Sequence, residues 1–267
     1  METVHLKQHE SGSGENRDDD SETSLSDCPY YVDKQAYRLY VNLADFAATF
    51  LPLQQAMRTL DSAFRLYTPD NVAVAFNGGK DATVVMHLAR AAMANWCKQN
   101  MTPAKLHCLY MLGTQEEQFS EVTAFVHEQV SAYDLAAVEV RLGIKEGICE
   151  FIKGRTATCA FVLGTRRADP HGATMEHFEP SSKGWPCFMR VNPILTWRYH
   201  HVWEFLRHFR IPYCCLYDKG YTSLGSVLTT KPNPALREGE EGKERYKPAW
   251  KLEDESLERA GRLPKPK

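Results

Sequence analysis

The residues best suited to chemistry are two glycines followed by a lysine and an aspartate, in the stretch NGGKD at 77–81. A β-branched run precedes them at 72–76, and helical spacing follows. The first N–H groups of a helix are unpaired and carry about half a positive charge, so a glycine turn at this point favours a bound anion. The pattern indicates a phosphate site in which Lys80 adds charge and Asp81 caps the helix or holds a magnesium ion.

This motif matches neither of two familiar phosphate-binding patterns. The spacing G-x-x-x-x-G-K-S/T is absent, and so is the dinucleotide turn G-x-G-x-x-G. An ordinary glycine turn with a polar cap would produce the same letters. The motif alone therefore leaves both interpretations open.

The elements around the motif alternate between helices and strands. Periodicity predicts strands at 72–76, 105–112, 136–142 and 157–164, and helices within 31–68, after the glycine motif, and near 119–131, 145–154 and 196–209. Strands separated by helices of this length need crossover connections, which make a sheet mostly parallel. The predicted fold class is α/β, a mostly parallel doubly wound sheet with N-terminal helices and a C-terminal extension. Ligands of such sheets bind at the carboxyl ends of the strands.

Charge and composition predict the domain organisation. Residues 1–29 hold two basic and eight acidic residues, and we expect them to form a disordered tail. We expect residues 30–267 to form a single domain, with a nucleotide-binding core at 70–210 and a substrate-binding extension at 211–267. The tail carries −6 and the remainder +4, against −2 for the whole chain. This excess suits small anionic ligands and is too weak to indicate a nucleic-acid partner.

Other features of the composition indicate the cellular setting. No apolar run approaches the length of a membrane span or resembles a signal peptide, so we expect a cytoplasmic protein with no membrane partner, and we expect it to be a monomer. The eight cysteines form no C-x-x-C pair, which fits a reducing compartment. The histidines show no zinc-type spacing.

A second polar stretch, GTRR at 164–167, follows the predicted fourth strand. Its position at the carboxyl edge would let Arg166 and Arg167 face a phosphate from the side opposite the glycine motif. Asp169 precedes Pro170 and is expected in a turn, because proline restricts the residue before it. An Asx turn with surface arginines is the alternative interpretation.

Two further stretches have a structural and a functional interpretation. Trp185 and Pro186 offer a flat apolar wall suited to a fused ring, although a tryptophan beside a proline is more often part of a core. Arg259 and Arg262 are three residues apart, which would place both on one face of a helix. The alternative is a solvated helix that also carries glutamates at 253, 255 and 258.

Several stretches resemble a known family. FNGGKDATVV at 76–85 resembles the pyrophosphate-binding loop of the adenine nucleotide alpha-hydrolase fold. Others resemble the eukaryotic FAD synthetases (FMN adenylyltransferases), relatives of the phosphoadenosine phosphosulfate (PAPS) reductases. They are LGTRRADPHG (163–172), GWPCFMRVNPILTW (184–197), LYDKGYTSLGS (216–226) with PNPALR (232–237), and YKPAWKLEDESLERAGR (246–262). The resemblance covers roughly residues 70–262.

The resemblance implies an enzyme that transfers AMP from MgATP to FMN, giving FAD and pyrophosphate, with Mg²⁺ as cofactor. It implies ATP contacts from Phe76, Asn77, Gly78, Gly79, Lys80, Gly164, Thr165, Arg166 and Arg167. It implies flavin contacts from Asp169, Trp185, Pro186 and Arg190, and catalytic roles for Asp81, Asp169, Arg259 and Arg262. Asp81 is also the candidate metal ligand.

Two departures from the family pattern keep other functions open. Loops of this kind often have hydroxyl or thiol side chains where this chain has Ala75 and Ala82. A non-catalytic nucleotide-binding protein is therefore one alternative. A PAPS reductase is another, although it would need a cysteine on its C-terminal tail and none follows Cys215. A tRNA-modifying ATP pyrophosphatase is a third, for which the sequence shows no basic stripe.

Overall fold

The computed structural model describes residues 33–111, 117–140, 143–170, 172–239 and 244–264. The predicted acidic tail at 1–29 lies outside these residues. The predicted helical region 31–68 contains two helices in its described part, α1 (Lys34–Ala47) and α2 (Leu51–Tyr67). Asp33 begins α1 because its side chain accepts a hydrogen bond from the N–H of Ala36.

The remaining helices and strands alternate as the periodicity predicts. The helices are α3 (Lys80–Asn100), α4 (Ser120–Ala132), α5 (Ile144–Ile152) and α6 (Tyr199–His208). The strands are β1 (Val72–Ala75), β2 (His107–Met111), β3 (Ala136–Val140), β4 (Cys159–Val162), β5 (Phe178–Pro180) and β6 (Phe188–Val191). The last two strands were not predicted, because they are only three and four residues long and show no clear periodicity.

The six strands form one sheet in the order β3-β2-β1-β4-β6-β5. Every pair is parallel except β5 with β6. In the register, Val74 lies beside Cys108 of β2 and beside Val162 of β4. The mostly parallel sheet of the prediction is therefore confirmed. The strand order reverses at β1 and β4, so the carboxyl ends of these two strands form the expected ligand edge.

Alternating residues of the strands serve two apolar cores, one on each face of the sheet. Val72 and Val74 belong to the larger core, which includes the buried residues of α2 and α3. Ala73 and Phe161 belong to the smaller core on the other face, with Phe151 of α5. Helices on both faces make the sheet doubly wound. The packing of α3 in the larger core places its first turn at the carboxyl end of β1.

The C-terminal extension contains no long helix among its described residues. It consists of short 3₁₀ turns, and a two-stranded ribbon is formed by β7 (Arg237–Glu238) and β8 (Arg245–Tyr246). Within the described residues, no helix is both long and apolar enough to cross a membrane.

The prediction that Arg259 and Arg262 share one helical face is wrong. A single 3₁₀ turn spans Glu255–Leu257, and turns follow it. The backbone there pairs with another segment: the N–H of Lys231 donates to Gly261, and the N–H of Leu263 donates to Thr229. These bonds replace the i to i−4 ladder that a helix would require.

Asn233 holds the extension together and provides a test of the fold. Its side chain is fully buried and donates to the Thr222 hydroxyl and the Leu257 carbonyl, at 2.8 and 2.7 Å. We expect Asn233→Ala to lower the free energy of unfolding by about 3 kcal/mol, because it leaves buried polar groups without partners. Urea denaturation would measure the change.

The matched control is Asn100→Ala on the exposed end of α3, which should change the free energy of unfolding by about 0.5 kcal/mol or less. An equal decrease in the free energy of unfolding in the two variants would contradict the stabilising role of the Asn233 hydrogen bonds.

Candidate active site

The glycine motif forms a tight turn between β1 and α3. Gly78 has a φ of 73°, and a Cβ atom there would lie 3.0 Å from the side chains of both Val122 and Val126 of α4. Positive φ and close packing together require glycine at this position. Helix α3 begins at Lys80 with Gly79 at its cap, so Asp81 lies in the first helical turn and is not the cap.

Two backbone N–H groups of this turn already have protein partners. The N–H of Gly79 donates to the Asn77 side chain at 3.0 Å, and the N–H of Lys80 donates to the Tyr217 hydroxyl at 2.7 Å. Tyr217 belongs to the C-terminal extension and is buried. Burial raises its pKa well above the usual value, which keeps the hydroxyl neutral. The extension therefore takes part in the structure of the turn.

Lys80 and Arg166 form a buried ionic cluster with two carboxylates. The Nζ atom of Lys80 lies 2.9 Å from Asp81 and 2.5 Å from Glu258. The Nε atom of Arg166 lies 2.8 Å from Asp81, and its Nη2 atom donates to both carboxylate oxygens of Glu258, at 2.6 and 2.7 Å. The side chains of Lys80 and Arg166 are 3% and 1% exposed. The two predicted phosphate-binding stretches thus meet at one point.

The cluster fixes the protonation of its members. Burial by itself would raise the pKa of Asp81, but the charges of Lys80 and Arg166 outweigh it and hold this pKa below the usual value. Burial would likewise lower the pKa of Arg166, but Asp81 and Glu258 raise it. Asp81 is therefore a carboxylate at neutral pH, and Arg166 is charged.

The arginines of the GTRR stretch point in different directions. Arg166 joins the cluster, whereas Arg167 is exposed and donates to the carbonyls of Ala173 and Met175, away from the loop. Gly164 lies against the start of α3, and a Cβ atom there would meet the Asp81 carbonyl carbon at 2.9 Å. Thr165, between them, is half-buried.

Asp169 lies in the predicted turn beside this cluster. One carboxylate oxygen accepts the N–H of Arg166 at 2.8 Å, and the other lies 3.8 Å from Nη2 of the same residue. Burial raises the pKa of Asp169, and the bonds to Arg166 oppose that rise. The predicted turn is present, with the N–H of Asp169 donating to the Arg166 carbonyl at 3.0 Å, and it brings this carboxylate to the edge of the cluster. The alternative of an Asx turn with surface arginines does not hold for Arg166, which is buried.

Behind Arg166 lies a cavity of about 270 Å³. Glu258, Tyr199 and Trp197 are among the residues that line it. The Nζ atom of Lys80 lies 5.2 Å from the centre of the Tyr199 ring, within reach of a cation–π interaction. A larger cavity of about 800 Å³ lies between α1 and the end of α6, and it contains no residue of the glycine motif.

Of the four predicted flavin residues, Asp169 lies beside the cluster, whereas the other three lie on the hairpin of β5 and β6 at one edge of the sheet. Trp185 and Pro186 are half-buried in the turn of the hairpin formed by β5 and β6, before β6 begins, so they occupy its amino end. Arg190 lies on β6 and donates to the Pro180 carbonyl and the Ser182 hydroxyl. Strand β4 lies between β6 and β1, and among the described residues no hydrogen bond or ion pair joins Trp185, Pro186 or Arg190 to Lys80 or Arg166.

The C-terminal arginines flank a residue that does reach the cluster. Arg259 is exposed, and the Nη1 atom of Arg262 donates to the Leu224 carbonyl at 2.7 Å and to the Ser223 hydroxyl at 3.3 Å. Glu258, interpreted from the sequence only as a glutamate on a solvated helix, pairs with both buried cations. Neither Glu258 nor Tyr217 was predicted as a site residue, although both lie in stretches that resemble the FAD synthetases.

Among the described residues, no group of three or more histidine, cysteine, aspartate or glutamate side chains is arranged to hold a metal ion. Magnesium is usually bound by one or two carboxylates together with substrate phosphates, so a site made only of protein groups is not required. Asp81 is the carboxylate best placed for this, because its side chain is 22% exposed at the loop and is ionised.

Comparisons with known proteins agree on one family. The model of the phosphoadenosine phosphosulfate reductase domain matches residues 71–232. A probable FAD synthase of Schizosaccharomyces pombe is 40% identical over 210 residues, which cover 79% of this chain and 78% of that protein.

Solved structures of Candida glabrata FMN adenylyltransferase have the same fold. The complex with FAD and inorganic pyrophosphate superimposes with a TM-score of 0.74 at 25% identity, covering 87% of this chain and 97% of the other. The complex with FMN and the ATP analogue AMPCPP gives a TM-score of 0.73 at 26% identity, covering 85% and 99%. The chain therefore belongs to the phosphoadenosine phosphosulfate reductase domain family and, within it, to the FAD synthases.

Proposed function

We propose that this chain transfers the AMP part of MgATP to FMN and releases FAD and pyrophosphate. The observation that carries the proposal is the meeting of Lys80 and Arg166, both buried and charged, at the turn between β1 and α3. Two fixed cations at the carboxyl edge of a parallel sheet are suited to the phosphates of a nucleotide. Similarity to FMN adenylyltransferase structures that hold FMN, an ATP analogue, FAD and pyrophosphate supports this choice.

The reaction joins two phosphates and needs no covalent nucleophile on the protein. An oxygen of the 5′-phosphate of FMN attacks the α-phosphorus of ATP, and the bond from that phosphorus to the pyrophosphate oxygen breaks. Catalysis then depends on aligning the two substrates and on neutralising their charge. Lys80 and Arg166 supply fixed positive charge beside the turn that Gly78 and Gly79 form.

Magnesium fits this scheme through Asp81. When bound, Mg²⁺ would neutralise charge on the phosphates of ATP, and Asp81 would hold it together with phosphate oxygens. Because both carboxylate oxygens of Asp81 form ion pairs with Lys80 and Arg166, the carboxylate must share its lone pairs with the ion. Asp169, at the edge of the cluster, is the second carboxylate available to orient the substrates.

Other contacts follow from position. Four residues beside the turn are assigned to ATP in this proposal: Phe76, Asn77, Gly164 and Thr165. Arg167 points elsewhere and is the weakest candidate among the predicted ATP contacts.

The flavin ring is assigned to the hairpin turn with Trp185, Pro186 and Arg190. This assignment rests on the resemblance of GWPCFMRVNPILTW at 184–197 to the FAD synthetases. The turn lies at the amino end of β6, and β4 lies between that strand and β1.

We also propose that the protein is a cytoplasmic monomer that binds only small molecules.

A non-catalytic nucleotide-binding protein is the second candidate function, because alanine at positions 75 and 82 leaves the loop without two side chains that could have bonded to phosphate. A reaction with FMN and MgATP distinguishes the two.

We expect the full chain to convert FMN and MgATP to FAD and pyrophosphate. Chromatography of the flavins would measure FAD, and an enzymatic assay would measure pyrophosphate. Omission of Mg²⁺ or an excess of chelator should abolish the reaction, because the charge on ATP then lacks a counter-ion. Binding of ATP without any FAD would favour the non-catalytic alternative.

Asp81→Ala should lower kcat by about 100-fold or more, since it removes the carboxylate that orients both buried cations and is assigned to the metal. Lys80 and Arg166 keep Glu258 as a partner, so the melting temperature should fall little. Asp45→Ala, an exposed change on α1, is the control and should leave kcat unaltered. A near-normal kcat of Asp81→Ala would show that Asp81 only pairs with Lys80 and Arg166 and has no catalytic role.

At least one of the arginines after Glu258 should affect turnover. We expect Arg259→Ala to lower kcat by about 100-fold with an unchanged melting temperature, because its exposed side chain is available to substrate phosphates. Arg262→Ala should also lower the free energy of unfolding by about 1–2 kcal/mol, since its bonds to Ser223 and Leu224 are lost.

Steady-state kinetics and melting curves of both variants, with Arg245→Ala on exposed β8 as the control, would measure these effects. Unchanged kcat in both arginine variants would remove this segment from the catalytic proposal.

A further inference from the structure

Glu258 occupies an unusual position for a residue of a substrate-binding segment. Its carboxylate is 12% exposed and lies within 2.7 Å of both buried cations, Nζ of Lys80 and Nη2 of Arg166. These two cations are the ones that the proposed function assigns to phosphate. The protein therefore carries its own anion at the place where a polyphosphate is expected to bind.

The backbone around Glu258 is fixed by buried side chains. The Thr222 hydroxyl donates to the carbonyl of Glu258 at 2.6 Å, and Asn233 donates to the carbonyl of Leu257 at 2.7 Å and to Thr222 at 2.8 Å. Thr222 and Asn233 are 1% and 0% exposed. These bonds fix the backbone of Glu258 at a position from which its carboxylate reaches both cations.

The charges at this point do not favour an anion strongly. Lys80 and Arg166 face three carboxylates, those of Asp81, Asp169 and Glu258. Asp81 is assigned to the metal and Asp169 to the substrates. Glu258 has neither role and engages both cations at once. A phosphate group that binds to Lys80 and Arg166 must share them with this carboxylate.

We propose that Glu258 is a built-in competitor of pyrophosphate, a positioning residue that weakens the hold of Lys80 and Arg166 on the leaving group so that it dissociates. The inference rests on the proposed function for the identity of the anion. It assigns to the segment before Arg259 a role in product release. Two nearly unexposed cations without this competitor would retain a highly charged product, because charge pairs are strong where water is excluded.

The experiment measures binding of pyrophosphate, in the presence of Mg²⁺, to the full chain by titration calorimetry without FMN. Glu258→Gln keeps the shape of the side chain and removes its charge. We expect the Kd of this variant for pyrophosphate to fall about tenfold, since one negative charge near the ligand is lost. In the complete reaction, pyrophosphate should also inhibit this variant at lower concentrations than wild type.

Glu255→Gln is the matched control on the same segment. Its carboxylate pairs with Arg198 at 3.2 Å and with His200, and among the described residues it forms no ion pair with Lys80 or Arg166. The Kd for pyrophosphate should not change in this variant. A similar fall in both variants would mean a general effect of net charge and would overturn the proposal.

Glu258→Asp is the second variant and covers the case in which Glu258→Gln does not fold. It keeps the charge and shortens the side chain, and the clamp on the backbone prevents compensation, so pyrophosphate should bind more tightly than in wild type but by a smaller factor. Unchanged or weaker binding in whichever variants fold overturns the proposal, because it would show that Glu258 only orients the cations. Tighter binding without any synthesis of FAD would refute adenylyl transfer and leave the competitor role standing.

Discussion

The structure depends on the placement of two positive charges where water has little access. Lys80 and Arg166 come from the ends of neighbouring parallel strands, and their side chains are almost unexposed. Burial of a charge is costly unless it is paired and hydrogen-bonded, so each must meet carboxylates. Asp81 comes from the same helical turn, and Glu258 comes from the C-terminal extension. The need for a partner thus joins the core of the sheet to a segment that has little regular structure of its own.

The sequence predicted the sheet well because its signals are local. The β-branched strands, the helical stripes and the glycine motif each depend on neighbouring residues, and the carboxyl-edge rule then brings Gly164 and Asp81 together. The same local reasoning missed β5 and β6, because strands of three and four residues are too short to show a clear alternation. It also predicted a helix around Arg259, where long-range pairs of Thr230, Lys231 and Gly261 decide the backbone.

Glu258 and Tyr217 show why part of the site was beyond sequence reasoning. Neither residue belongs to a recognisable local motif. Each contacts Lys80 over a long sequence separation, 178 residues for Glu258 and 137 residues for Tyr217. Periodicity carries no information on such pairs. The resemblance to the FAD synthetases indicated the right stretches but drew attention to Arg259 and Arg262 instead. Arg167 was predicted to share the role of Arg166 because the two are adjacent in sequence. In the structure its side chain points away from Arg166 and bonds to the Ala173 carbonyl.

The contact of Lys80 with Glu258 has a consequence for biosynthesis. During synthesis Lys80 is followed at once by Asp81, whereas Glu258 comes 178 residues after Lys80 and 92 residues after Arg166. Until the C-terminal segment is translated, the two cations have only the carboxylates of Asp81 and Asp169 as partners. The ionic cluster is therefore completed only when the ribosome has almost finished the chain, and a truncated chain would bury two cations with incomplete pairing.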